Sequence, residues 1–510
     1  MRFFNPRHAA AFAAGALLTC AFAPLNWWPL AVLSPAFLMW LWHGAVPRQA
    51  ACHGFWFNVG TFVVGTYWLY ISIHLIGHAP VWLAAFLMLA LAAIMGLYQA
   101  LVGYCVARWL PSRGLVRWLV AMPAAWLLIE WWRGWFLSGF SWLSLGYSQT
   151  GTWLSGFAPV VGVYGISALL LVCAGAVVTL VLGGKRDRVI AAVVLVLPWV
   201  SGLALTHIEW TQPSGPPVSV AILQGAIPEE LKWDKANLDA TLQRYRDMTL
   251  KAQGHRIIVL PEAALPGFVD TLEPYIADLY RSVVGAGSSL VFGVLRDTNG
   301  EDPSYNSVLA LDGKVTIYDK SHLVPYAESF PVPDFVRSWL RMMSLPSYDL
   351  TAGAPNQPPL EAGGLKLGTT VCYEDAYGSS MLAVQHQADA LVNVTNDAWF
   401  GHSTAKPQHL QIAQMRALEA QRYLIRAAND GISAVIGPHG ETVARAPEYT
   451  PQILYSSIIP RTGLPPYARV GNWLVVIVAT FALAYGLGVR QSRGRRPPPD
   501  TRTGTASASV

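Results

Sequence analysis

Three residue types that together do nucleophilic chemistry each stand at the end of a short apolar run. Glu262 closes Ile257-Ile258-Val259-Leu260-Pro261-Glu262, and Cys372 closes Thr369-Thr370-Val371-Cys372, ahead of Tyr373 and Glu374. Lys320 lies in Tyr318-Asp319-Lys320-Ser321-His322-Leu323-Val324-Pro325, followed by Glu328. A carboxylate directly after a buried strand is expected to be partly desolvated, which raises its pKa toward the range of a general base. A thiol just upstream of a helix beginning near Gly378, with a lysine nearby, is expected to have a lowered pKa that favours the thiolate. Taken singly, each has a plainer reading: a solvated loop acid, a surface lysine, an inert core cysteine. Their joint occurrence in matching contexts carries the case. His402 and His409 lack a CxxC or carboxylate cluster, so no metal is expected, and no GxGxxG, GxxxxGK[ST] or HExxH occurs.

The elements that must position these groups occupy roughly 217–460. Short β-branched runs predict strands at 218–224, 256–260, 289–294, 307–311, 315–318, 367–372, 390–395, 432–436 and 453–457. Amphipathic stretches predict helices at 238–252, 273–284, 379–386 and 407–422. In the last, Leu410, Ala413, Ala417 and Ala420 form a stripe at helical spacing, the mark of a core-facing surface. Interleaved strands and helices of this kind argue an α/β layered domain.

The rest of the chain is of another kind. Of 510 residues, 53% are hydrophobic and 13% charged, half the roughly 25% charged share of soluble chains. Residues 1–207 hold ten Lys/Arg and two acids; the remainder holds 25 basic and 28 acidic residues. The basic excess sits between apolar runs, so it speaks for membrane topology and against a nucleic-acid partner. Apolar runs near 9–25, 27–43, 54–76, 81–107, 115–136, 157–182 and 189–206, with an eighth near 472–489, predict eight membrane helices. Lys and Arg mark the N-terminus, alternate loops (Arg48; Arg108, Arg113, Arg117; Lys185, Arg186, Arg188) and the C-terminal flank. That bias places both termini in the cytoplasm and the domain between helices seven and eight outside it. The expected division is therefore 1–207 for seven helices, 208–470 for the extracytoplasmic domain, 471–490 for the eighth helix, and 491–510 for a disordered cytoplasmic tail. Ala21-Phe22-Ala23 imitates a signal-peptide cleavage site, but Pro24 opposes cleavage, so an uncleaved first helix is expected. Of the five cysteines, only Cys372 lies outside the apolar half, so no internal disulfide is expected. Two apolar stretches, 142–157 and 331–345, are expected to touch lipid chains, the second as a mobile lid carrying Trp339 and Met343.

The contexts of Glu262, Lys320 and Cys372, together with Asn393-Val394-Thr395-Asn396-Asp397-Ala398-Trp399-Phe400-Gly401 and Arg426-Ala427-Ala428-Asn429-Asp430-Gly431, resemble the nitrilase superfamily. Held between seven helices and one, such a domain resembles the apolipoprotein N-acyltransferase family of the bacterial inner membrane. The resemblance implies an αββα sandwich inserted in an eight-helix transmembrane bundle, its domain periplasmic. It implies a Glu262–Lys320–Cys372 triad: Glu262 as base, Lys320 stabilising the oxyanion, Cys372 forming a thioester. The acyl donor would be a phospholipid and the acceptor the α-amine of a diacylglyceryl apolipoprotein, with ping-pong kinetics and no cofactor. Glu328 and Glu374 match further family glutamates, with Lys320 as the group they would orient. Tyr373 would position the nucleophile or acyl chain, and Asn306 would add an orienting hydrogen bond. Trp233 matches a position near the site and, with Trp339 and Met343, is expected to contact substrate. The chain is expected to work as a monomer among membrane lipids.

Two other readings share features of the chain. A membrane-tethered nitrilase-type amidase would carry the same triad but would need neither eight helices nor apolar loops. A non-catalytic receptor or transporter would have no use for an intact triad, and the apolar runs lack the intramembrane charges of a transport path; Glu130 and Arg133 are the exceptions.

Overall fold

The computed structural model describes residues 5–297, 304–325, 327–329, 338 and 350–494. Trp339, Met343, most of the 331–345 stretch and the 495–510 tail lie outside the described residues.

All eight apolar runs form helices, because long stretches without charge satisfy their backbone only internally. They are Pro6–Leu18, Leu30–Leu41, Pro47–Gly65, Val81–Trp109, Met122–Arg133, Ala158–Leu182, Lys185–Leu205 and Trp473–Gly494. Among the described residues, four are long and apolar enough to cross a membrane, or five when Pro47–Gly65 and the 52° bent continuation Trp68–Ile76 count as one span. Pro6–Leu18 and Leu30–Leu41, of 13 and 12 residues, rise only about 20 Å against a hydrocarbon core of about 30 Å. Small residues let these helices approach closely. A Cβ on Gly15 would overlap the Phe57 carbonyl, and one on Gly60 would overlap the Phe12 carbonyl. Thr61 Oγ1 seals the same crossing by donating to the Gly15 carbonyl at 3.0 Å.

The 142–157 stretch does not face lipid as the sequence suggested. Trp142, Leu143, Tyr147 and Leu154 are buried, and of the large apolar side chains there only Trp153 is exposed. The segment is a plug between the helices and the domain. Arg133 donates to the Trp142 carbonyl and to Ser144 Oγ, and Glu130 accepts from Leu145 N–H and Ser167 Oγ. The charged pair of the apolar half thus holds this plug rather than a headgroup.

The domain is an αββα sandwich. Beside a short antiparallel ladder of β1 (Gln212–Pro213) with β15 (Arg461–Thr462), one sheet runs β14 (Gln452–Ile458), β2 (Val218–Gln224), β3 (Ile257–Val259), β5 (Ser289–Arg296), β6 (Tyr305–Leu311), β7 (Val315–Asp319), with β4 (Leu265–Phe268) also on β5. The other runs β13 (Thr442–Arg445), β12 (Ala434–Ile436), β11 (Leu424–Ala428), β10 (Ala390–Thr395), β9 (Leu365–Val371), β8 (Leu360–Ala362). Val220, Ile222, Val259 and Val291 of the first sheet pack against Val371, Val392 and Ile425 of the second. The helices Leu238–Lys251 and Val269–Val284 cover the outer face of the first sheet. Ala405–Ala420 covers the second, through the predicted stripe of Leu410, Ala413, Ala417 and Ala420. The reverse face of that helix, with Ile412, Met415 and Leu418, packs into the core of the membrane half, so it has almost no solvent side.

Charge is buried under this helix. His409 lies between Asp397 (2.8 Å) and Asp375 (3.1 Å), and Arg426 on β11 reaches both aspartates. Burial and Arg426 push the imidazole down, but the two aspartates outweigh them and hold His409 up at about 9, against its ordinary 6.5. A raised histidine stabilises the fold fully below its unfolded pKa and loses that contribution as pH rises through its folded pKa. His409→Gln should therefore lower stability near pH 6.5 by about 3–5 kcal/mol, the cost of breaking a buried ion pair. Thermal unfolding of wild type and variant should show that gap narrowing as pH rises from about 6.5 to about 9, and levelling off above that; a gap constant with pH would exclude a charged His409.

Candidate active site

The carboxyl ends of β3, β7, β9 and β10 converge on one place, and each ends in a chemically capable residue. After β3 the chain passes through Leu260 and Pro261 to Glu262, buried at 7% exposure. The β6–β7 hairpin sets Asn306 beside Lys320, whose N–H donates to the Asn306 carbonyl at 2.8 Å. Strand β9 delivers Cys372, which opens the short helix Cys372–Ala376 with φ at 52°. A left-handed conformation is strained for a residue with a Cβ, and such strain concentrates at functional turns.

Lys320, 1% exposed, bridges two carboxylates: Nζ donates to Glu262 Oε1 at 3.2 Å and to Glu328 Oε1 at 2.8 Å. Asn306 Nδ2 spans the same two oxygens at 2.8 and 3.2 Å. The other oxygen of Glu262 accepts from Asn396 N–H at 2.9 Å, and Lys232 Nζ donates to the Glu262 carbonyl at 3.0 Å.

The charge states differ from the sequence expectation for two groups. Burial pushes the Glu262 carboxyl up, but Lys320 and Lys232 outweigh it, so the group lies below its ordinary pKa and is ionised. Burial and the Glu262 charge push the Cys372 thiol well above its ordinary value, against the opposing pull of Lys320. The resting pair is carboxylate and thiol, not acid and thiolate. The sequence revealed a nearby lysine but not that two glutamates neutralise it. Lys320 itself, although burial favours the neutral amine, is held protonated well above its usual value by Glu262 and Glu328.

Glu374 makes no hydrogen bond or ion pair with Lys320 among the described residues, but it fixes the loop that carries it. Its carboxylate accepts from Ser321 N–H and Oγ, His322 N–H and Tyr318 Oη, and also from Val371 N–H at 2.8 Å. One side chain thereby joins the lysine loop to the cysteine turn. Tyr373 packs edge-on against His322 and Tyr377 and shares a hydrogen bond with the Tyr377 hydroxyl. Trp233 is half exposed, and its indole donates to Glu229 Oε1 at 2.8 Å. The other Glu229 oxygen accepts from Asn396 Nδ2 at 2.6 Å, which ties Trp233 to the residue supporting Glu262.

Several contributors escaped the sequence reading. Asn393 Nδ2 donates to the Cys372 carbonyl at 3.0 Å, and His409 Nε2 lies 3.3 Å from the same oxygen. In the sequence His409 suggests only a metal ligand, and Asn393 lies in the stretch Asn393–Gly401 with no role of its own. Lys232 and Glu229 had no signal beyond lying in the same short stretch as Trp233.

The N-terminal half matches the family model described as the apolipoprotein N-acyltransferase N-terminal domain, over residues 14–176. Residues 219–462 match the carbon-nitrogen hydrolase model. An apolipoprotein N-acyltransferase of Chromobacterium violaceum is 40% identical, the alignment covering 94% of each chain. One from Pseudomonas syringae pv. tomato is 39% identical over 94% of this chain and 96% of the relative. Among solved structures, a variant of the Nesterenkonia AN1 amidase from the nitrilase superfamily is 22% identical, covering 50% of this chain and 95% of its own, with a TM-score of 0.37. On the near full-length identity to these relatives, with both family models matched in order along one chain, the protein belongs to the apolipoprotein N-acyltransferase family.

Proposed function

We propose that this chain transfers an acyl group from a membrane phospholipid to the N-terminal α-amine of a diacylglyceryl-cysteine apolipoprotein, through a thioester on Cys372. The observation that carries the reading is the meeting of an ionised Glu262, a protonated buried Lys320 and a neutral Cys372 at strand ends drawn from both sheets, in a chain whose relatives are named apolipoprotein N-acyltransferase.

In the first half-reaction Glu262 takes the Cys372 proton as sulfur attacks the ester carbonyl carbon. Negative charge moves from the carboxylate to the carbonyl oxygen, where the Lys320 ammonium stabilises it; such preorganised charge is commonly the largest catalytic contribution. Collapse breaks the ester C–O bond, and Glu262 returns its proton to the departing lysophospholipid alkoxide. In the second, the acceptor amine attacks the thioester, Glu262 receives the amine proton, and the sulfur leaves to be reprotonated as the thiol. One site serves both steps, so the kinetics are ping-pong. Glu328 and Asn306 hold Lys320 and Glu262 in register, Glu374 positions the lysine loop against the cysteine turn, and Tyr373 and Trp233 line the approach.

Both substrates are lipids, which accounts for a domain embedded on apolar helices. The reading places 1–207 as seven membrane helices, 208–470 as the periplasmic domain and 471–490 as an eighth. The first two helices are then short, closely packed members of the bundle, and both termini are cytoplasmic. Alternating basic loops support this orientation.

Cys372→Ala should abolish transfer, and mass spectrometry of wild type purified from membranes should find an acyl mass on Cys372; transfer that survives the substitution overturns the mechanism. Glu262→Gln should lower kcat about 10²- to 10⁴-fold, the usual reach of a general base, and rapid-quench kinetics should show acylation and deacylation both slowed. For orientation, Asp234→Cys and Glu361→Cys should react with an impermeant maleimide in intact spheroplasts; labelling only after lysis would reverse the topology.

A further inference from the structure

A polar cavity of about 370 Å³ lies away from the thiol, lined by Arg422, Arg461, Arg469, His386 and Asp389. Cys372 and Asn396 follow the carboxyl ends of the parallel strands β9 and β10, whereas Asp389 and Arg422 precede the amino ends of β10 and β11. A strand of five or six residues spans about 17–20 Å, so this cavity is separate from the Cys372 site.

The cavity sits where the chain leaves one apolar helix and enters another. Gly463–Arg469 leads into Trp473–Gly494. Gln421, next to Arg422, binds Ile208 and Trp210, just beyond the end of Lys185–Leu205. If those helices cross the bilayer, the cavity lies at headgroup level.

Two of its three arginines, Arg422 and Arg469, carry positive charge that no ion pair among the described residues neutralises, whereas Arg461 pairs with Glu209. Arg461 is committed to Glu209 and Thr211. Arg422 is 3% exposed and, among the described residues, donates only to the carbonyls of Gln385, Arg461 and Gly463, while its buried Nε has no partner there. Burial, not fully offset by Asp389, pushes that guanidinium down to about 10. Asp389 turns a carboxylate oxygen to Lys366 N–H and forms no ion pair with Arg422 among the described residues. Arg469 is exposed and has no hydrogen bond or ion pair among the described residues. A buried guanidinium with an idle donor, beside a free one, is suited to a tetrahedral oxyanion, which accepts several charge-assisted hydrogen bonds at once.

We propose that this cavity is an anion site that takes a phosphate group, borne by an anionic phospholipid headgroup or free in solution. The lipid source rests on the membrane placement proposed above, whereas the free-phosphate source does not.

The test uses the full-length protein in a nonionic detergent, as wild type, Arg469→Gln, Arg422→Lys and Cys372→Ala. Each is titrated with phosphatidylglycerol, phosphatidylcholine or inorganic phosphate and followed by native mass spectrometry and thermal unfolding. Wild type and Cys372→Ala should retain phosphatidylglycerol alike and in preference to phosphatidylcholine. Arg469→Gln should hold it about tenfold more weakly, as expected for one lost charge-assisted bond. Inorganic phosphate raising Tm in wild type but not in Arg469→Gln, without a lipid preference, supports the site with free phosphate as its source. Equal binding by wild type and Arg469→Gln, no binding of either ligand, or loss of binding in Cys372→Ala overturns it. Arg469 is exposed, so its substitution does not touch the core, and Arg422→Lys adds a variant that keeps the charge but not the fork. An acyl adduct on Cys372 in the same preparation separates failure of this inference from failure of the proposed function.

Discussion

The Lys320 ammonium, buried between Glu262 and Glu328 and bridged by Asn306, is the interaction on which the rest of the site depends. An ammonium removed from water costs several kcal/mol unless partners replace the lost solvation. Two carboxylates overcompensate a single charge, and the excess negative charge is shared with Lys232 near Glu262. The result is an ionised base beside a thiol that burial keeps protonated. A thiol and a carboxylate can exchange one proton without moving net charge in or out of the site, so on the proposed mechanism the thiolate forms only as bond formation to carbon draws the charge away.

The cysteine is held from the opposite side by a second set of buried charges. The Cys372 carbonyl receives Asn393 and faces His409, and these belong to the Asp375–Asp397–Arg426 network below. Glu374 pins the N-terminal side of the turn through Val371. A residue at φ 52° persists only where its surroundings over-determine it, and here the carbonyl and the flanking amide are both fixed. The two charge clusters therefore differ in what they hold: one fixes the charges of Glu262 and Lys320, the other the backbone of the Cys372 turn.

The domain is not merely tethered to the helices. Trp142 donates to Gln408, while Ser141 and Tyr147 both donate to the Ala376 carbonyl at the end of the cysteine turn. Glu419 accepts from Val163 N–H of the apolar helix Ala158–Leu182. The helix Ala405–Ala420 is thus shared, with one face in the sandwich and the other in the membrane half. Such a joint keeps the reactive turn at a fixed height relative to the apolar helices, which suits substrates that both carry lipid.

Much of this was legible in the sequence, for reasons that can be stated. Strands such as Val218–Gln224 and Ala390–Thr395 show because buried strands are continuous β-branched runs. The eight apolar runs show because long stretches nearly free of charge stand out in composition wherever they fold. Strand β11 did not show, because Arg426 interrupts its apolar run; the arginine is tolerated only because Asp375, Asp397 and Asn393 neutralise and bond it. The 142–157 stretch was misread as lipid-facing because aromatic content reports a need for burial but not what covers the rings. Charge state was misread for Glu262 and Cys372 because a pKa depends on every charge within several ångströms, and Lys232 and Glu328 come near only through folding. By itself, then, the sequence determined the residue types able to do the chemistry, their placement at strand ends and the division into apolar and ordinary halves, since these follow from local composition and period. The tertiary structure alone decided which carboxylate is ionised, what fixes the cysteine turn and which face meets the helices, since those are sums over contacts between residues far apart in the chain.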